Sequence, residues 1–192
     1  MGYYKSTYTP DPEKPEEKDH YALTQFEPTS ARQAFPCWDE PALKATLSFT
    51  HIYRSNTVAL ANMNALETTA CDGTVPAPFT SSQSSTSTEW QQTTYATTPK
   101  ISTYLMAWAN GNFKHLESEY KSPLTGKTIP LRIYATPENI KQGQLALDVK
   151  ASIMPIYEKM SVLLCLASKE ACLKGRLIVS ISPILCLKSI RW

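Results

Sequence analysis

Short runs of alternating apolar and polar side chains dominate the first 135 residues. In the clearest run, ATLSFTHIY at residues 45–53, every second side chain from Ala45 to Tyr53 falls on one mostly apolar face. This period of two predicts a β-strand with one buried face. Comparable runs predict further strands at residues 2–8, 21–27, 57–62, 90–97, 102–109, 112–120 and 129–135. Because no helical pattern separates these strands, the predicted fold class is mostly β, with antiparallel sheets.

Polar stretches between the strands predict the connections. Residues 28–44 contain three prolines and short polar pieces, so we expect a structured connection with at most a short helical turn. Residues 74–98 are rich in serine and threonine, a composition typical of a long hairpin tip or loop. Gly126 is expected in the turn between the last two strands.

The apolar period changes at residue 136. Thr136 is a suitable N-cap, Pro137 suits the first helical position, and an acidic residue follows. Pro155 is expected to kink the helix or to limit its last turn. The spacing predicts one amphipathic helix, whose apolar stripe comprises Ala146, Val149, Ile153, Ile156 and Met160.

Composition separates the last 32 residues from the rest. Residues 1–160 carry 14 basic and 16 acidic side chains, whereas residues 161–192 carry five basic and one acidic side chain and three of the five cysteines. We therefore divide the chain into a β-domain at residues 1–135, a helix at 136–160 and a divergent, hydrophobic, cysteine-rich tail at 161–192. Because the tail and the apolar stripe would attract other chains, we predict that a chain ending at Ala135 is more soluble than the whole.

Charge and motifs exclude several classes of function. The net charge of +2 provides no drive towards nucleic acid, and no glycine-rich phosphate loop is present. The three histidines are far apart in sequence, which excludes a local histidine-based metal motif. The longest uncharged run of the tail has eleven residues, too few to span a bilayer. The first residues lack an apolar signal region, and the cysteine spacing is irregular, so we expect a cytoplasmic, reducing compartment.

Residues 24–49 carry a longer pattern. They read TQFEPTSARQAFPCWDEPALKATLSF, and segments 2–8, 97–113 and 129–138 add further matches in the same order. Over about residues 2–160, the chain resembles the N-terminal domain of the M1-type zinc aminopeptidases, the puromycin-sensitive and alanyl aminopeptidase group. The resemblance implies a saddle-like β-domain, incomplete at its front, followed by the first helix of the catalytic domain. It also implies hydrolysis of N-terminal amino acids by a zinc-bound water.

Two site residues follow from the resemblance. In the matching T-Q-F-E-P run it implies that Gln25 lines the pocket for the first side chain and that Glu27 holds the free α-amino group. A carboxylate is a suitable partner for an ammonium that leaves water. From the local sequence alone, an ion pair between Glu27 and Arg32 is the alternative.

The zinc-binding part of the family pattern is absent from these 192 residues. No H-E-x-x-H motif or G-A-M-E-N loop occurs, so we expect no catalytic residue, no metal ligand and no cofactor in this chain, with zinc bound only in the complete enzyme. A fragment that contacts peptide N-termini and is inactive alone is the first hypothesis. The alternatives are a noncatalytic β-domain that binds peptides or proteins, and a fragment that folds poorly.

The remaining candidate residues are expected to be structural. Cys37 could be a nucleophile with His51 or His115 as its base, but nothing orients such a pair, and a small buried side chain is the better reading. Asp39 and Arg32 suggest a hydrogen-bonded corner before the Ala45–Tyr53 strand. His51 is expected to be a satisfied core or edge histidine. Three tryptophans are expected in the core rather than in base stacking: Trp38, Trp90 and Trp108.

Overall fold

A computed structural model describes residues 1–11, 13–71, 90–123 and 126–167, with side chains as far as residue 160. The chain forms two compact units. The first comprises Met1–Thr7 and Asp19–Asn112, and the second comprises Tyr8–Lys18 and Phe113–Trp192. The residues after Ala167 and the segment 72–89 lie outside the described residues, so the predictions for the tail and for the Ser/Thr-rich tip remain predictions.

The described residues are mostly strands in antiparallel sheets with a single α-helix, as the fold class predicted. The helix, α1, spans Gly143–Ala167. The strands, numbered in chain order, are β1 Gly2–Tyr8, β2 Asp19–Gln25, β3 Thr50–Arg54, β4 Val58–Ala61, β5 Ala65–Ala70, β6 Trp90–Tyr95, β7 Trp108–Gly111, β8 Lys114–Lys121 and β9 Thr128–Ala135.

Two sheets build the first unit. One has the strand order β1-β2-β7-β4, and the other has the order β3-β6-β5. In the four-stranded sheet, β7 pairs antiparallel with both β2 and β4, so that Ala109 lies opposite Leu23 on one side and Leu60 on the other. Ala109 and Leu23 are buried, so this central strand contributes to the core of the unit.

The second unit is built from the β8–β9 hairpin and α1. Eight consecutive residue pairs join β8 and β9, and Gly126 adopts a positive φ of 68° in the connection between them. The apolar core of the unit consists of Tyr120, Leu131, Ile133, Leu147 and Met154. The Tyr120 hydroxyl and the Ser122 hydroxyl both donate to the carboxylate of Glu158. Burial, followed by this bond and the negative charge of Glu158, raises the pKa of Tyr120 to about 12.

The α-helix begins later than the sequence predicts. Residues 136–139 form a turn, in which the Asn139 backbone N–H donates to the Thr136 carbonyl at 3.0 Å. The Asn139 side-chain amide also donates to the Thr136 hydroxyl at 3.0 Å. A 3-10 turn at Ile140–Gln142 follows, and α1 starts at Gly143. A Cβ on Gly143 would lie 3.3 Å from the Ile133 side chain, so glycine lets the helix start close to the hairpin. The helix continues past Pro155 to Ala167.

α1 has two apolar faces. Leu147 and Met154, which the predicted stripe does not contain, are buried against the hairpin. Of the predicted stripe, Ala146 is partly buried against this core, whereas Val149 is 46% exposed and Ile156 is 57% exposed. The stripe is therefore helical in spacing, but within the described residues its larger side chains are not covered.

The predicted strand at residues 45–53 is regular only in its second half. Strand β3 begins at Thr50, and Ala45 forms an isolated bridge with Ile101. Between them, the N–H of Leu47 donates to the hydroxyl of Thr98 at 2.9 Å. A side chain thus replaces a backbone partner, which interrupts the ladder while the alternation of burial persists from residue 46 to residue 50.

The predicted strand at residues 102–109 was also partly wrong. Thr103–Leu105 is a 3-10 turn, and β7 starts only at Trp108. The buried Asn62 stabilises the turn because its side-chain amide donates to the Leu105 carbonyl and its oxygen accepts from the Ala107 N–H. Strand β5, which the sequence analysis missed, is exposed along its whole length and carries little apolar signal.

Candidate functional site

The two predicted substrate-binding residues lie at the end of β2. Gln25 is the last residue of the strand and is half-buried, whereas Glu27 is exposed in the turn that follows. Phe26 lies between them and is only 2% exposed. The buried phenyl ring thus fixes the residue between two polar side chains that remain accessible.

An aromatic cluster holds Phe26. Its ring centroid lies 5.2 Å from that of Trp108 and 5.9 Å from that of Phe35, with edge-to-face geometry in both pairs. Ala31 and Met106 are buried in the same cluster. Burying one aromatic side chain of this kind stabilises a fold by about 1.5–3 kcal/mol, so a displaced Phe26 would be costly.

The end of β2 is also held by hydrogen bonds to β7. The Thr24 hydroxyl accepts from the Trp108 N–H at 3.1 Å and lies 3.4 Å from the Trp108 carbonyl, to which it donates. On the other side of Phe26, the Ser30 N–H donates to the Phe26 carbonyl at 2.7 Å. A side-chain hydroxyl on one side and a backbone bond on the other therefore hold the Gln25–Glu27 segment.

The alternative ion pair between Glu27 and Arg32 is not formed. Within the described part of the chain, no hydrogen bond or ion pair reaches the Glu27 carboxylate. Arg32 instead contacts Asp39, with its Nε 3.4 Å from Oδ2. Glu27 thus presents an exposed carboxylate that forms no ion pair within the part of the chain that the structure describes.

The predicted corner around Asp39 is present and more extensive than the sequence indicated. The Asp39 carboxylate, 3% exposed as a residue, accepts from the Arg32 backbone N–H at 3.2 Å and from the Thr103 hydroxyl at 2.9 Å. Burial alone would raise the pKa of Asp39. The hydrogen bonds from the Arg32 backbone, from Thr103 and from the Arg32 side chain, with the guanidinium charge, outweigh burial and lower this pKa.

The other candidates have different outcomes. Cys37 is half-buried against the Phe26 cluster, as expected for a small apolar side chain, and Trp108 is part of the same cluster. Trp38 is 82% exposed, so its predicted core position is wrong. The reason is local, because Asp39 has a positive φ of 54° and Arg32 binds the Trp38 carbonyl, which together direct the indole outwards.

His51 is not a satisfied histidine. Its ring lies 5.6 Å from Phe49 and 5.5 Å from Tyr53, and its buried Nδ1 has no hydrogen-bond partner among the described residues. Burial lowers the pKa of His51. Among the described residues, neither this histidine nor His115 forms a hydrogen bond with Cys37. His115 lies 3.9 Å from Glu117 instead.

The described ranges contain no group of three or more His, Cys, Asp or Glu side chains placed to hold a metal ion. No helix in these ranges combines the length and the apolar character needed to cross a membrane.

Sequence reasoning missed the residues that support the site. Thr103 and Met106 lie about 75 positions after Glu27 in the chain, and only the fold brings them to the Phe26 cluster and to Asp39. Their one sequence signal is membership of the matching segment 97–113, which carries no spacing rule of its own.

The geometry suits one kind of chemistry. An exposed carboxylate, held by a buried aromatic anchor and adjacent to a half-buried amide, can accept hydrogen bonds from an ammonium group. The same carboxylate gains much less from an uncharged amide N–H. An exposed carboxylate of this kind therefore favours a free amine over an acylated one.

Known proteins are similar to this chain over a range that includes the Gln25–Glu27 segment. Residues 1–105 match the family described as the Peptidase M1 N-terminal domain. Aminopeptidase 2, mitochondrial, of Saccharomyces cerevisiae is 36% identical over 158 residues, and the puromycin-sensitive aminopeptidase of Caenorhabditis elegans is 37% identical over 159 residues. Endoplasmic reticulum aminopeptidase 1 of Rattus norvegicus is 35% identical over 158 residues. Each match covers 82% of this chain but only 14% of the relative's own length.

Proposed function

Because the chain belongs to the Peptidase M1 N-terminal domain family, we propose that it is part of a zinc aminopeptidase and contributes Gln25 and Glu27 to recognition of the substrate's free N-terminus. The observation that carries this proposal is the exposed Glu27 carboxylate, which forms no ion pair among the described residues, while Arg32 contacts Asp39 instead. A carboxylate reserved in this way is available to a positively charged ligand.

The role explains why such an enzyme would remove only terminal residues. A peptide's α-ammonium carries a charge and three N–H donors, whereas an internal peptide nitrogen carries neither the charge nor more than one donor. Glu27 would bind the ammonium, and Gln25 would contact the first side chain. Together they would fix the distance from the amine to the bond that is hydrolysed.

Catalysis itself is not assigned to these 192 residues. Zinc would supply an activated water in the complete enzyme, and its ligands would come from outside this chain, because no suitable ligand group occurs in the described residues. We therefore propose that the chain alone is inactive. We also propose that the chain divides into a β-domain, a helix and a tail at residues 135 and 160, and that the protein is cytoplasmic. The names of the relatives include mitochondria and the endoplasmic reticulum, so similarity does not select the compartment.

The amine-binding role can be tested on the 192-residue chain by NMR titration. The probes are alanyl-alanine amide and its N-acetyl derivative, and the signals followed are the backbone amides of residues 25–27, 29 and 30. An ion pair at an exposed carboxylate is worth about 0.2–1 kcal/mol, so we expect the free amine to bind up to about fivefold more tightly. In a closed cleft the same contact would be worth about 1.5–3 kcal/mol, or roughly tenfold and more.

Two variants complete the test. Glu27→Gln should abolish the preference for the free amine, whereas Glu40→Gln, at another exposed glutamate of the same unit, should retain it. If wild-type protein binds both probes equally, the amine-binding role is refuted and the noncatalytic peptide-binding domain becomes the better hypothesis.

A further inference from the structure

The structure points to a second element of the site, the buried carboxylate of Asp39. It joins two segments that are distant in the chain. One is the 3-10 turn Ala31–Gln33, whose Arg32 donates its backbone N–H and its Nε–H to Oδ2. The other is the turn Thr103–Leu105, whose Thr103 hydroxyl donates to Oδ1.

Each joined segment supplies one wall of the Phe26 pocket. Ala31, completely buried, comes from the first turn, and Met106, 5% exposed, directly follows the second. The Met106 N–H donates to the Thr103 carbonyl at 3.0 Å, so the position of Thr103 is transmitted to Met106 through the backbone. Separation of the two turns would open the pocket that holds Phe26.

We propose that Asp39 is a positioning residue for amine recognition, which sets the orientation of Gln25 and Glu27 by holding the two walls around Phe26. This inference rests on the proposed function of Glu27. Asp39 does not touch the ligand and acts through Phe26, whose neighbours on both sides are the two binding residues.

The backbone at Asp39 strengthens the assignment. Its φ of 54° lies in the left-handed region, which most side chains avoid and which Asp and Asn tolerate. Asparagine can keep this conformation and one acceptor oxygen, whereas alanine loses both oxygens. Asp39→Asn therefore tests the loss of part of the hydrogen bonding with the backbone conformation kept. Asp39→Ala tests the loss of every hydrogen bond that the carboxylate accepts.

Thr103 offers a better-matched pair. Thr103→Val preserves volume and removes the hydroxyl donor, whereas Thr103→Ser preserves the donor. The first readout is amide hydrogen exchange at Ser30, whose N–H binds the Phe26 carbonyl at 2.7 Å. Loss of the single Thr103 hydrogen bond should make Ser30 exchange about tenfold faster in Thr103→Val, and Asp39→Ala, which loses all three hydrogen bonds to the carboxylate, should be at least as fast. Thr103→Ser should stay within about twofold of wild type, with Asp39→Asn intermediate.

The second readout is the ratio of affinities for alanyl-alanine amide and its N-acetyl derivative, measured on the full chain. A merely structural role would lower stability without altering this ratio in folded protein. We expect the ratio to fall to about one in Thr103→Val and to recover in Thr103→Ser, while the amide of Leu131 in the second unit exchanges as in wild type.

Each outcome gives a decision. Unchanged Ser30 exchange in both Asp39→Ala and Thr103→Val overturns the positioning role. Faster Ser30 exchange with an unchanged ratio of the two affinities also overturns it, because the hydrogen bonds to Asp39 would then serve stability only. A wild-type ratio of one refutes the function proposed for Glu27, and Ser30 exchange then decides by itself whether Asp39 fixes the segment.

Discussion

His51 lies half-buried on β3, between the rings of Phe49 and Tyr53, with no partner for its Nδ1 in the described residues. A neutral imidazole is tolerated there more easily than an imidazolium, since burial lowers the pKa. The sequence predicted its half-apolar surroundings from the alternation of residues 45–53. It could not predict the missing partner, which depends on the strands packed around it.

A pH dependence of stability follows from His51. In the folded chain the pKa of His51 lies below the ordinary 6.5. The stability that the neutral His51 contributes is therefore fully present above pH 6.5, and it is lost as the pH falls through the pKa that His51 has in the folded chain. The urea midpoint of the β3 and β6 amide signals should therefore fall between pH 7.5 and pH 5.5. His51→Phe should flatten this dependence. His20→Asn, at an exposed histidine, should leave it as in wild type, and an equal fall in His51→Phe would contradict the role of His51.

At the scale of elements, α1 shows that helical spacing does not identify the face that packs. The residues 146–160 contain two apolar stripes, and the sequence analysis chose the one that is exposed. The buried stripe, with Leu147 and Met154, is distinguished only by the hairpin opposite it. The hairpin itself was predictable because its alternation is regular, whereas β5 was missed because a strand exposed throughout has no apolar face.

The two stripes can be compared by matched truncations on the same helix. Leu147 is 3% exposed, and Val149, two residues later, is 46% exposed. Leu147→Ala should lower the free energy of unfolding of the second unit by about 2–5 kcal/mol, whereas Val149→Ala should change it by less than about 0.5–1 kcal/mol. Hydrogen exchange of the Leu131 and Ile133 amides in β9 measures both effects. Comparable losses in the two variants would show that the described packing of α1 is wrong.

At the scale of the whole molecule, the strand-rich antiparallel fold was predictable, whereas the support of the Gln25–Glu27 segment was not. The contiguous motif contains the Gln25–Glu27 segment and two of its anchors, Ala31 and Phe35, but Thr103 and Met106 come from distant positions in the chain. The expectation for a chain ending at Ala135 changes for the same reason. Such a chain would remove Leu147 and Met154 from the hairpin core and uncover Leu131 and Ile133.

We now expect the chain ending at Ala135 to be less soluble than one ending at Ala167, which keeps the whole of α1. Loss of the helix exposes a contiguous apolar surface on a two-stranded sheet, which is marginally stable by itself. Light scattering of both chains at equal concentration in reducing buffer measures the difference, with the 192-residue chain as reference. A monodisperse chain ending at Ala135 would contradict this expectation.

The short connection between the β8–β9 hairpin and α1 has a consequence for the order of folding. The contact between Tyr120 and Glu158 spans 38 positions, whereas the contact between Thr24 and Trp108 in the first unit spans 84. Closing a shorter loop costs less entropy, and chains rich in local contacts fold faster. The hairpin and its helix are therefore expected to fold early, while the segment that presents Glu27 must wait until β7 has found β2.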